Sequence, residues 1–93
     1  DPTSIAAIDR VLAADPRNVR ALIAKADHYA GMGDQRSASA FYLAALKAAP
    51  PGDRMPPELA PLLRRAQDAC ARQAREYKDY LRARLLDKGF DAP

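Results

Sequence analysis

Displaced against itself by about 34 residues, the sequence lays Ala6 on Ala40, Leu12 on Leu46, Ala14 on Ala48 and Pro16 on Pro50. A chain that repeats at this interval is built from small units, each with a face it cannot bury alone. Stacked neighbours must complete its fold. Inside the units the apolar spacing is helical. Ile5, Ile8, Val11 and Leu12 form one stripe over a helix from Ser4 to Ala14, capped by Thr3 or Ser4 and stopped at Asp15-Pro16. Asn18 is a natural cap for a second helix, Val19 to Ala30, with Leu22, Ala26 and Tyr29 on one face. Gly31-Met32-Gly33 ends it. A third helix begins near Asp34 or Gln35 and carries Ala38, Phe41, Tyr42, Ala45 and Leu46 to about Ala48 or Ala49.

Pro50-Pro51-Gly52 stops the third helix, and a stiff linker runs to about Pro56. From Pro57 to about Lys88 the pattern predicts one long helix of about 45 Å, more than twice the length of the others. Leu59, Leu62, Leu63, Ala66, Cys70, Ala74, Tyr77, Leu81 and Leu85 line one side, and Gly89 follows as a cap. Arg64, Asp68, Arg72 and Glu76 alternate in sign on the other side, as a solvated face does. The far end of this helix should overhang the shorter three.

These readings give an all-α chain of about four helices. Composition agrees: alanine dominates the apolar 48%, while valine, isoleucine and threonine are scarce, which disfavours strands. Ninety-three residues hold one domain with a modest core. No apolar run is long enough to span a bilayer, so no membrane partner is expected. The net charge of +3 comes from fifteen basic and twelve acidic residues that largely cancel, which argues against nucleic acid. A single cysteine excludes an internal disulfide, and with no signal peptide visible the expected setting is cytoplasmic. The chain opens at Asp1 inside a helical pattern, so it reads as a piece of a larger protein.

The full unit, Val19 to about Gly52, resembles a tetratricopeptide repeat. Leu22 stands at the first large position, and Ala26, Ala38 and Ala45 at the small ones. Tyr29 and Tyr42 fill the aromatic positions, Gly33-Asp34 the turn and Pro50 the terminal proline. Lys25 departs from the pattern, which prefers leucine; its stem can pack while its amine reaches water. On this resemblance residues 1–16 are a half repeat, 19–50 a full repeat and 57–88 a long capping or linking helix. The resemblance also implies that Arg20, Ile23 and Asp27, on the inner face of the first helix of the repeat, line a concave groove for peptides. The proline–leucine stretch from Pro56 to Leu63, with Ala69-Cys70-Ala71 and the run from Tyr77 to Leu85, extends the likeness. Taken with the repeat, it is similar to the N-terminal region of bacterial aspartyl/asparaginyl β-hydroxylase-type proteins. There a tetratricopeptide segment and a long helix precede a dioxygenase domain using iron(II) and 2-oxoglutarate. None of that chemistry carries onto this chain. Such an iron site needs two histidines, and His28 stands alone.

The remaining candidates favour structural roles. His28 has no second ligand near it in sequence, and Cys70, on the buried stripe, reads as a small apolar residue. Tyr77 and Tyr80 beside Arg82 and Arg84 have the types that stack on bases, but Asp79 and Asp87 interrupt the surface. No phosphate loop, nucleophile elbow or zinc pair is present. No catalytic, cofactor or metal residue is therefore assigned. The function expected is a non-catalytic protein-interaction module serving a dioxygenase. Its contacts with a catalytic domain, a protein or a second copy would run through Tyr77, Tyr80, Leu81 and Leu85. The alternative is a stand-alone adaptor holding a peptide or partner helix in its groove.

Overall fold

A computed structural model describes residues 4–89. Four α-helices run in order: α1 (Ile5–Ala14), α2 (Val19–Gly31), α3 (Gln35–Ala48) and α4 (Ala60–Asp87). Two short 3-10 helices, Gly52–Arg54 and Pro57–Leu59, lie between α3 and α4. The described residues contain no strand, so the fold is all-α.

Local chemistry sets each boundary. Ser4 accepts from the Ala7 amide at 3.2 Å, and Asn18 from Ala21 at 2.9 Å. Asp34 accepts from Ser37 at 3.0 Å. Each side chain satisfies a donor the first turn leaves without a partner. Thr3, the other candidate cap of α1, lies outside the described residues, as do residues 1–2 and 90–93. Gly33 takes φ +81°, which lets the chain reverse between α2 and α3. The Asp34 amide closes the turn on the Tyr29 carbonyl at 3.0 Å. Pro50 and Pro51 end α3. The long helix starts later than the spacing predicts: Pro57–Leu59 is 3-10, and α geometry begins at Ala60. Gly89 closes α4 at φ +85°.

The core lies where α2, α3 and the first part of α4 meet. Leu22, Ile23, Leu59 and Leu63 supply bulk, and Tyr42 is buried at its centre. Ala26, Ala38, Ala45 and Ala66 are almost wholly enclosed. Alanine at these places lets three helices approach closely, because any longer side chain would hold them apart. α1 packs on α2 and contributes Ile8.

Lys25 packs its stem against the fold and pairs its amine with a half-exposed carboxylate. Its side chain is mostly buried, with Nζ 2.7 Å from Asp9 Oδ1 and 4.9 Å above the centre of the Phe41 ring. It ties α1 to α2 while stacking on α3. Phe41 is in turn stacked on Tyr29, with centroids 5.6 Å apart.

Candidate interaction surface

Two candidate sets were legible in the sequence, and the fold treats them in opposite ways. Of the three inner-face residues of α2, Ile23 does not line a groove. It is 2% exposed, sunk in the core shared by α2, α3 and α4. The physical reason is that the start of α4 lies against α2. Arg20 is exposed and reaches Glu58 at 3.5 Å, beside the 3-10 entry to α4. It also edges a shallow groove of about 340 Å³ between α1 and α2, lined by Ile8, Val11, Ala21 and Ala24.

Asp27 is engaged within the chain. Its Oδ1 accepts a hydrogen bond from the Tyr42 hydroxyl, and its Oδ2 lies 2.7 Å from an Arg65 guanidinium nitrogen. This clip joins α2, α3 and α4. Burial raises the Tyr42 hydroxyl above the ordinary tyrosine value, and the hydrogen bond to Asp27 raises it further. The Asp27 hydrogen bond likewise raises Arg65. Both shifts keep the clip protonated on the donor side. Glu58 and Arg65 carry no local signal of these roles. Their partners lie 38 residues away and are chosen by packing alone.

The second set stands open. α4 is 28 residues long, about 42 Å, but its buried residues end at Ala69, with Cys70 half-covered. From Ala74 onward every described residue is exposed. Tyr77, Tyr80, Leu81 and Leu85 are 57%, 53%, 41% and 47% exposed, and Leu86 joins them at 53%. Tyr77 and Tyr80 stack with centroids 6.4 Å apart, and Arg84 donates to the Tyr80 hydroxyl at 2.9 Å while lying over its ring.

Where α4 leaves α3, a groove of about 410 Å³ opens between them, lined chiefly by apolar atoms of Ala40, Leu43, Cys70, Ala74 and Tyr77. Leu43 was not singled out in the sequence. It sits one residue past the buried Tyr42 and is 45% exposed, so helical periodicity alone places it off the core. Together the groove and the stripe make one apolar surface that nothing in the described residues covers.

Cys70 and His28 are the remaining candidates. Cys70 is half-buried, its thiol donating to the Ser39 carbonyl at 3.7 Å, and desolvation raises its pKa above the ordinary value. The reactive thiolate is therefore scarce at neutral pH. His28 is exposed, edge-on to Tyr29. No group of three or more His, Cys, Asp and Glu among the described residues is arranged to hold a metal ion. No helix of the described residues is long and apolar enough to cross a membrane. No protein-family model, curated protein or solved structure matches the chain significantly, so the assignment of this surface rests on its own geometry.

Proposed function

We propose that the chain is a non-catalytic, tetratricopeptide-type interaction module whose working surface is the distal half of α4 with the groove at its root. The observation that carries this reading is the uncovered stripe itself. Folded chains seldom leave Tyr77, Leu81 and Leu85 in the open along one helix face, with Tyr80 at its flank, without a partner for them. Tyrosine and arginine are also the residue types that dominate binding energy at protein interfaces. On the resemblance drawn from the sequence, the protein served is an aspartyl/asparaginyl β-hydroxylase-type dioxygenase in a cytoplasmic setting. Iron(II) and 2-oxoglutarate then belong to its catalytic domain and not to these helices.

A second reading, a stand-alone adaptor that takes a peptide between α1 and α2, is favoured by the groove beside Arg20 and by Val11, which is 43% exposed there. Site-specific photo-crosslinking separates the two. A photoreactive residue at position 81 should give a discrete adduct that Leu85→Asp abolishes, and one at position 11 should give none. An adduct at position 11 alone, removed by Arg20→Glu, would establish the adaptor instead.

A further inference from the structure

We infer that the distal half of α4 docks an acidic amphipathic helix, seated with one end in the groove between α3 and α4. The inference rests on the interaction-module reading and adds the chemistry of the partner. At about 100° per residue, Ala74, Tyr77, Leu81 and Leu85 fall within about 40° of the direction of Leu81. This stripe is about 17 Å long, which matches three turns of a facing helix. It continues the line of the groove, where Ala40, Leu43 and Cys70 offer an apolar seat with Arg36 at its edge.

The charges beside the stripe have one sign. Lys78 and Arg84 lie about 60° to either side of it, and Arg82 about 100° round on the Lys78 side. Glu76, Asp79 and Asp87 all fall at least about 120° away, on the back of the helix. The ion pairs among the described residues are Arg20–Glu58, Lys25–Asp9 and Arg65–Asp27, none of them on this stretch. Lys78 and Arg82 are moreover a like-charged pair at i and i+4, offset in part by Asp79 at i−3 from Arg82. Carboxylates on a facing helix would relieve the repulsion that remains. Tyr77 stacks on Tyr80, and Arg84 lies over the Tyr80 ring, so these three side chains already touch in sequence along one flank.

The same charges argue against a second copy as the occupant. A two-fold antiparallel pairing of α4 sets each flank against itself, bringing Lys78 and Arg82 of one copy to Lys78 and Arg82 of the other.

The test uses the whole chain and two labelled helical peptides of roughly 14 residues, long enough to cover the stripe. Both carry the same leucine stripe; one has glutamates beside it, the other lysines. Fluorescence anisotropy at ~50 mM salt should show the glutamate peptide binding about tenfold tighter than the lysine peptide. Lys78→Glu with Arg82→Glu should invert that order, and Leu81→Asp should abolish binding of both, with thermal unfolding of each variant unchanged. The inference is overturned by equal affinities, by no binding, or by an order that charge reversal leaves untouched. Binding to phosphatidylserine-rich vesicles without binding to the glutamate peptide would make the surface a membrane contact and overturn it too. An adduct captured at position 81 alongside equal peptide affinities would remove this inference and leave the interaction module standing.

Discussion

Ala26, Ala38, Ala45 and Ala66 decide how closely the helices lie, because each is nearly without exposure. Ala26→Leu should therefore cost about 1–3 kcal/mol of stability in urea unfolding. Ala83→Leu, on the exposed back of α4, should cost almost nothing. Equal effects would mean that the helices do not meet at Ala26. The Asp27 clip makes a second residue-scale prediction. Tyr42→Phe and Asp27→Ala each remove one partner of the same hydrogen bond, so a double-mutant cycle should give a coupling of about 1 kcal/mol. Additive losses would show that the hydroxyl and carboxylate do not interact in solution. At this scale the sequence was half legible. Ala26, Ala38 and Ala45 were visible as parts of apolar helix faces because spacing alone marks such a face. The partners of Asp27 and Arg20 were not. Arg65 and Glu58 are brought to α2 only by the way α4 packs, and a 34-residue offset from Asp27 leads to Pro61 instead.

At the scale of the elements, local capping accounts for where helices begin and end, and so most boundaries were readable in advance. Asn18, Gly33 and Pro50 act on their own neighbours, with no help from the rest of the fold. The exception is the entry to α4, where Pro56, Pro57 and Pro61 crowd the first turns and hold Pro57–Leu59 in 3-10 form. The cap of α3 gives a pH prediction. Hydrogen bonding from the Ser37 amide lowers the pKa of Asp34 in the folded chain below its ordinary value. A lowered folded pKa contributes stability above the unfolded value, and that contribution is lost as pH falls through the folded one. Asp34→Asn keeps an oxygen for the Ser37 amide but has no charge to lose. Thermal melts from neutral to strongly acid pH should show a shallower loss for Asp34→Asn below about pH 4. An identical acid limb would remove Asp34 from the account of acid unfolding.

As a whole the molecule is elongated, 50 × 32 × 18 Å, because α4 outruns the helices that support it, α2 and α3. The overhang was legible from lengths alone: α1, α2 and α3 have 10, 13 and 14 residues against 28 in α4. What no local pattern revealed is where support ends, since the apolar stripe of α4 continues without a break from its buried half into its open one. The fold and function meet at that change. A helix packed on one half and bare on the other projects as an arm, and its bare half is the surface proposed to receive a partner. Hydrogen exchange of the free monomer, resolved by residue along α4, tests this most directly. Amides from about Leu63 to Arg72 should exchange near the global unfolding rate, and those from about Glu76 to Asp87 at least about a hundredfold faster. Uniform protection along the whole helix would mean that the distal half is already covered, and would contradict the account.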